Sequence, residues 1–576
     1  MQVKEKLAEG PGKMFPPLCW LFLMRSLIAL QGAAAQEVPS HIEFSFGKFR
    51  NVSLPKNVTV EAVVSKIPAD ITYIVFQFHT QHQNATLSYD RIPTVSSSQT
   101  GFDVGLLSPL RLLQRSLQWY LLSPEGSPVA GTAVILPYRQ SDPVPGGCNL
   151  EFNLSIDASI YLHYNLFETI IRFAPANIGY ARGSSPPLCD VNMGQNSRWR
   201  LQYDVYQYFL PENNLSEELL ITHIQKVANV QEMTANGRRL VTLTSNDKTM
   251  VSFSSIPGQG VIYSVIVRDP LLNTSASYVP VHTYGCSFTS MLDNCYTLGK
   301  VSTKVLFTML GIAGLLICFF GHRFFKSELF CVGFAFVAFL FFILITRTSS
   351  LDYDLRLALA TVMGVVGGVL LVLCWWRSGS VLLCVIVVGM ILGFLVSSTF
   401  FFTPIGNFQI FRSDAVFWVT FSSIVMLFPL IFLRWPREGN ITACAIVGGY
   451  AVVLAVNSYI YTSLSYIVLD ILKRALNNDF SRAFTDVPFQ AIDFIMITVW
   501  VVLAVSGMVL QLYRERSRPF FPPSPYVMWK QERERRKTNI LDPSYHVPSL
   551  WSRLKSRLRD AFQRREPAGE RTPLLL

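Results

Sequence analysis

The apolar positions divide this chain into two unlike halves. Between about Val305 and Tyr513, seven long apolar runs follow one another: Val305–Gly321, Leu329–Thr346, Leu357–Trp376, Val381–Phe402, Ala415–Leu433, Ile441–Tyr461 and Phe494–Tyr513. A helix rises about 1.5 Å per residue, so about 20 apolar residues cross a hydrocarbon core of about 30 Å. Each run therefore predicts a transmembrane helix. No Asp, Glu, Lys, Arg or His falls inside these bounds. Ionisable side chains at membrane depth ordinarily mark proton relays and ion paths, so the runs argue against proton-coupled transport. His322 is the only His between residues 301 and 513, which argues against a membrane metal hydrolase.

The half before the runs has a different rhythm. Ile71–His79 and Val261–Val267 are dense in β-branched and aromatic residues and predict strands. Val251–Ser254 predicts another, ending before the turn-forming Ile256-Pro257-Gly258-Gln259-Gly260. After Ser216, the residues Leu219, Leu220, Ile224 and Val227 form one apolar face of a helix. Pro145-Gly146-Gly147 reads as a seam between two β-sandwich modules. The expected fold is a multi-pass α-helical membrane protein with seven transmembrane helices and an N-terminal, mainly β, sandwich-like extracytoplasmic domain. The expected division is a signal peptide at 1–35, an ectodomain at 36–300, a membrane domain at 301–513 and a basic cytosolic tail at 514–576.

Composition supports this division. Hydrophobic residues are 50 % and aromatics 13 % of the 576 residues, and the formal net charge is +11. Residues 514–576 hold 15 Lys and Arg against 7 Asp and Glu, so +8 of the excess lies behind the last run. A basic segment there fits the positive-inside rule and an anionic lipid leaflet rather than nucleic acid. Lys4, Lys6 and Lys13, the apolar stretch Leu18–Leu30 (interrupted by Arg25) and Ala33-Ala34-Ala35 have the layout of a secretory signal cleaved near Ala35, with an uncleaved anchor as the alternative.

Six N-x-S/T sequons, at Asn51, Asn57, Asn84, Asn153, Asn214 and Asn273, predict a glycosylated ectodomain. A seventh, at Asn440, falls in a predicted cytosolic loop and is expected to be unused. Cys148, Cys189, Cys286 and Cys295 allow three pairings, and Cys148–Cys189 with Cys286–Cys295 closes the shortest loops. Their spacing lacks a zinc signature. His79 and His82 are three apart, and in a strand such side chains point to opposite faces, so they do not form half of a metal site. His163 and His282 stand elsewhere. With no G-x-S-x-G or H-E-x-x-H, the half reads as a binding domain and not an enzyme, and no cofactor is expected.

In the membrane half, Gly364 with Gly368 and Gly389 with Gly393 give flat strips for close helix approach, more readily within one bundle than between copies. Ile467–Leu476 predicts a helix in the long loop after the sixth run, resting on the membrane or the ectodomain. The short loops carry nearly equal basic charge on both sides, so the sequons and the tail set the orientation: N-terminus outside, C-terminus cytosolic. The third run ends Cys374-Trp375-Trp376-Arg377 and the seventh lacks N-P-x-x-Y, so rhodopsin-like receptor signatures are absent. In the tail, PFFPPSP (519–525) is a stiff linker. Leu550, Trp551, Leu554, Leu558, Ala561 and Phe562 line a short basic amphipathic helix, suited to membrane lipids or a partner groove. Glu570 followed by Leu574 and Leu575 matches an acidic dileucine sorting signal, which would engage clathrin adaptors.

Longer strings carry a resemblance. DPVPGGCNLEFNL (142–154), RWRLQYDVYQYFLPEN (198–213), VSFSSIPGQGVIY (251–263), ICFFGHRF (317–324), FFTPIGN (401–407), KQERERR (530–536), TNILDPSYHVP (538–548) and PAGERTPLLL (567–576) resemble the transmembrane 7 superfamily member 3 family along nearly the whole chain. The resemblance implies a non-enzymatic, pro-survival homeostasis factor. Such a protein attenuates cellular and endoplasmic-reticulum stress, inhibits cytokine-induced cell death and supports insulin secretion. It would reside in the cell membrane, with endosomal, lysosomal, reticular or nuclear-envelope pools. The residues alone leave two other readings open: an orphan receptor whose ectodomain binds protein or glycan, and a channel or lipid-handling protein.

Overall fold

The computed structural model describes residues 41–538 apart from 166, 191–195, 212–213, 257–258, 286–299, 461, 518–520 and 522–523, together with 551–552 and 554–555. The expected signal segment, Cys286, Cys295, Glu570, Leu574 and Leu575 lie outside the described residues. The chain forms two compact units, 1–295 and 296–576.

The first unit is β-rich. Among its described residues, nine strands come first: β1 (His41–Glu43), β2 (Arg50–Leu54), β3 (Val60–Val64), β4 (Ile71–His79), β5 (Ala85–Ser88), β6 (Ser98–Gly101), β7 (Asp103–Pro109), β8 (Leu117–Leu122) and β9 (Val129–Arg139). They make two sheets, ordered β1-β3-β8-β5-β6 and β2-β9-β4-β7. β3 alternates buried Val60, Ala62 and Val64 with half-buried residues, the period-2 pattern of a strand that shows one face to a core. Trp119 stacks on Phe76 from the opposite sheet at 5.1 Å and fills the sandwich. β4 is buried along its whole length. Ile74, Phe76 and Phe78 point into the sandwich core. Tyr73, Gln77 and His79 point the other way and meet neither water nor that core.

A second module follows. It contains β10 (Ile160–Tyr164), β11 (Glu168–Phe173), β12 (Gln202–Phe209), helix α1 (Glu217–Gln225), helix α2 (Val230–Asn236), β13 (Arg238–Thr244), β14 (Met250–Ser254), β15 (Val261–Asp269), β16 (Thr274–Ser277) and β17 (Val281–Thr283). One sheet runs β10-β11-β14; the other runs β13-β12-β15-β16, with β17 also on β15. The sheets meet through Phe173 with Tyr203 and Phe253 with Tyr263. The outer face of β12 and β15 is covered by Leu220, Ile224 and Val227 of the predicted stripe, while Leu219 is only half-buried. The segment between the modules holds Gly146 at φ 66°, where a Cβ would sit 1.7 Å from the Asp157 carbonyl oxygen, so only glycine fits. Cys148 and Cys189 form a disulfide beside it.

Among its described residues, the second unit contains seven helices long and apolar enough to cross a membrane: α3 (Val301–Phe320), α4 (Phe325–Thr348), α5 (Tyr353–Ser378), α6 (Val381–Phe402), α7 (Asp414–Arg434), α8 (Pro436–Ile460) and α10 (Ala491–Glu515). Helix α8 is central and lies against α3, α6, α7 and α10. Gly364 and Gly368 meet α4 at Phe334 and Phe330, while Gly389 and Gly393 meet α7 at Pro429 and Val425. Both strips are used within one chain.

Helix α9 (Tyr466–Leu476) forms as expected, with Ile467 and Ile471 packed into the helical bundle beside Leu395 and Phe401. Two expectations need correction here. The segment between α7 and α8 is Trp435 alone, so Asn440 is not in a loop; it is fully buried inside α8. Finally, α4, α5, α7 and α10 overrun their apolar runs at both ends. α4 begins four residues before its run and takes Glu328 inside, where it is 1 % exposed.

Candidate functional site

The predicted glycan acceptors lie on the first unit. Asn51, Asn57, Asn153, Asn214 and Asn273 are exposed. Asn84 is half-buried, and its Nδ2, the atom that would carry a glycan, donates to Glu125 Oε1 at 3.1 Å. Replacing each Asn by Gln in turn is expected to raise electrophoretic mobility by one step at each of the five exposed positions, with the smallest or no change at Asn84. A glycosidase-treated sample provides the reference. An equal step at Asn84 would show that the Glu125 contact does not restrain it.

The strongest electrostatic arrangement in this unit joins the two modules. Asp103 opens β7, and its side chain is 4 % exposed. Its Oδ1 lies 2.7 Å from His79 Nδ1, and its Oδ2 lies 2.7 Å from His282 Nδ1. Oδ2 also accepts the His282 backbone N–H at 2.8 Å. His79 stands at the end of β4 and His282 in β17, so one carboxylate spans both modules. Strand geometry gives no converging pair in His79 and His82. His82 is exposed, His163 is exposed, and His79 turns inward to a partner 24 residues away.

Proton positions follow from the partners. His282 Nε2 faces the Gln81 carbonyl at 3.1 Å and Nδ1 faces the carboxylate. Both neighbours only accept, so both ring nitrogens donate and the ring is an imidazolium. Burial alone would lower the His282 pKa, but the Asp103 charge and its hydrogen bonds outweigh burial and hold the pKa above its ordinary value. Burial would likewise raise Asp103, yet the two histidines pull it well below the usual carboxylate range. Further contacts surround this bridge. Tyr138 Oη pairs with Ser277 Oγ at 2.9 Å, Gln81 Nε2 donates to the Leu215 carbonyl at 2.8 Å, and Gly105 leaves no room for a Cβ against Val279. The geometry suits an electrostatic clamp. Among the described residues, no group of three or more His, Cys, Asp or Glu is placed to hold a metal ion.

Comparison with known proteins decides the family. The chain is 57 % identical over 538 residues to human "Transmembrane 7 superfamily member 3", covering 93 % of this chain and 94 % of that one. It is 57 % identical over 559 residues to the rat protein of the same name, covering 96 % and 99 %. The mouse protein is 56 % identical over 559 residues with the same coverage. This chain belongs to the transmembrane 7 superfamily member 3 family. Three domain families match along it: the "TM7SF3-like, N-terminal immunoglobulin-like domain" at 40–138, the "TM7SF3-like, second immunoglobulin-like domain" at 143–289 and the "TM7S3/TM198-like domain" at 307–512. The family's two immunoglobulin-like domains are therefore the two β-modules. His79 and Asp103 fall in the first and His282 in the second, which makes the clamp an interdomain feature of this chain. No spacing signal links positions 103 and 282; they meet where β7 of the first module faces β17 of the second.

Proposed function

We propose that this multi-pass membrane protein is a non-enzymatic homeostasis factor that attenuates cellular and endoplasmic-reticulum stress, restrains cytokine-induced cell death and supports insulin secretion, acting through protein contacts of its ectodomain. The observation that carries the reading is membership of the transmembrane 7 superfamily member 3 family over nearly the full chain. The architecture agrees with it. Two immunoglobulin-like domains clamped together present a continuous surface for a macromolecular partner, and binding surfaces of this kind need no catalytic group. In this reading the ectodomain faces the lumen or exterior, the tail is cytosolic, the basic tail helix contacts membrane lipids, and Glu570 with Leu574 and Leu575 recruits clathrin adaptors.

Cells lacking the protein are expected to show raised stress markers under a protein-misfolding drug, returning to baseline when the full chain is restored. Normal handling of the drug in the knock-out would sink this reading. The paired immunoglobulin-like domains also favour a second reading, an orphan receptor. It requires that the exposed ectodomain capture a specific protein or glycan and that the tail then recruit a signalling protein.

A further inference from the structure

Glu328 lies in the first turn of α4, at the end of the bundle from which the tail leaves α10. Its carboxyl is buried, and among the described residues no Lys or Arg pairs with it. Asn440 Nδ2 of α8 donates to Oε2 at 3.1 Å. The Cys444 thiol one turn further along α8 adds only a weak donor. Two buried oxygens are left over. Glu328 Oε1 and Asn440 Oδ1 have no hydrogen-bond partner among the described residues. Leaving a buried acceptor unsatisfied costs about 1–3 kcal/mol, more when it is charged.

The other groups around the carboxyl come from every neighbouring element. The segment joining α3 to α4 gives His322, whose Nδ1 lies 3.3 Å from Asn440 Nδ2. Helix α10 gives Gln511, which accepts the His322 backbone N–H at 3.2 Å and donates to the Cys318 carbonyl at 2.7 Å. Cys331 follows Glu328 by one turn in α4, and Cys384 of α6 is buried with the adjoining Phe325 and Leu329. At the edge, Arg437 of α8 bonds the main-chain carbonyl of the buried Glu515. A hard cation wants about six oxygen ligands. Glu328 and Asn440 bring three side-chain oxygens to the spot, and the Gln511 Oε1 beside them is turned to the His322 backbone N–H.

The Nδ2–Oε2 bond sets the amide beside the carboxyl, where one hydrogen shared by the two orphaned oxygens would satisfy both. We propose that this cluster is a proton-binding site, in which Glu328 carries a hydrogen on Oε1 and forms an acid–amide pair with Asn440. Oε1–H donates to Oδ1 while Nδ2–H donates to Oε2, so each group gives one bond and takes one. The proton comes from water and returns to it; no other bond changes. Phe521 of the tail covers the site, with its ring 5.1 Å from His322 and 5.5 Å from Phe325. Loss of the proton leaves a bare carboxylate in apolar surroundings and favours lifting Phe521 to admit water. Occupancy of the site and seating of the Phe521 ring are thereby linked.

Infrared spectroscopy of the full chain in lipid nanodiscs at neutral pH tests this. The carbonyl band of a protonated carboxyl is expected in the wild type and should be lost in Glu328→Gln. If the wild type shows only a carboxylate band from Glu328, as a bridging water would leave it, the proposal is overturned. A band that responds to replacing potassium by sodium would overturn it too, in favour of a cation. Asn440→Leu retains the carboxyl and removes its amide partner, so the band should move to higher frequency; an unmoved band refutes the pairing. This second variant, read with glutamate carboxyls labelled by carbon-13, keeps the test decisive if Glu328→Gln fails to fold. Phe521→Ala should keep the band and speed its hydrogen–deuterium exchange, and an unchanged exchange rate removes the tail from the site.

Discussion

Asp103→Asn is expected to weaken the join between the two immunoglobulin-like domains by about 3–5 kcal/mol, the range seen when one partner of a buried pair is removed. The reason is geometric. Asp103 accepts from two imidazoles and one backbone N–H, all at 2.7–2.8 Å. An amide of the same shape presents one oxygen and one donor, so at least one histidine faces a donor instead of an acceptor. The His282 imidazolium would also lose its counter-charge while staying buried. His282→Gln removes the cation and leaves Asp103 with His79, so its loss should be smaller. The pH dependence has a definite sign. His282 is raised above its ordinary value of about 6.5, so its contribution is fully present below that pH and fades as pH rises through the folded value. Asp103 is lowered, so its contribution is present above about pH 4 and fades only as pH falls far below that. The clamp is therefore firmest in mildly acidic conditions and slackens toward alkaline pH, and Asp103→Asn should flatten this profile. Amide hydrogen exchange at β17 in the full-length protein reads the effect. If β17 stays as protected in the variant as in the wild type at mildly acidic pH, the bridge does not hold the domains together.

The seven spans were legible because a bilayer asks for one simple property, about 20 apolar residues in a row. Their ends were not. Helix termini of this bundle run past the apolar windows into residues such as Lys326, Glu328 and Glu515, which hydropathy alone assigns to loops. Glu328 and Asn440 looked like loop residues for that reason, yet both are buried, 112 residues apart in sequence and 3.1 Å apart in space. The β-half was legible as strands where β-branched and aromatic residues concentrate, as in β4 and β15. Its amphipathic helix was legible from Leu220, Ile224 and Val227. The sandwich partners were not, because sheet order depends on crossovers that leave no local mark. β4 also hides its second role. Every residue from Ile71 to His79 is buried, so nothing in the pattern separates Phe76 and Phe78, which fill the sandwich, from Gln77 and His79, which face the other domain. The Cys148–Cys189 disulfide follows the shortest-loop rule, since the intervening segment folds back beside the interdomain seam.

Gly448→Val is expected to destabilise the membrane domain by about 3 kcal/mol or more, in the upper range for overpacking a tight contact. The crossing of α3 and α8 is built from glycine on both sides. A Cβ at Gly448 would lie 2.5 Å from the Gly314 carbonyl oxygen and 2.8 Å from the Cys318 backbone nitrogen. Gly314 in turn leaves a Cβ 2.6 Å from Ala451. Backbone atoms inside a hydrogen-bonded helix cannot swing aside as a side chain can, so the two helices must separate along their length. Packing is the main attraction between helices in lipid, where no hydrophobic effect pushes them together, so this separation is costly. It also disturbs the end of α3, whose Cys318 carbonyl accepts from Gln511 of α10. The neighbouring Gly449 is the control. A Cβ there meets Trp500 Cδ1 at 3.2 Å and Leu503 Cβ at 3.6 Å, which are side-chain atoms able to shift slightly. Gly449→Ala should therefore cost well under half as much. Thermal unfolding of the purified full-length protein in one detergent, followed by cysteine accessibility at the buried Cys318 and Cys444, compares the two. Gly448→Val should expose these thiols at a lower temperature than either the wild type or Gly449→Ala. Coincident melting of all three would mean that the α3–α8 contact is looser than its glycines imply, and that the bundle is held by its other helix pairs.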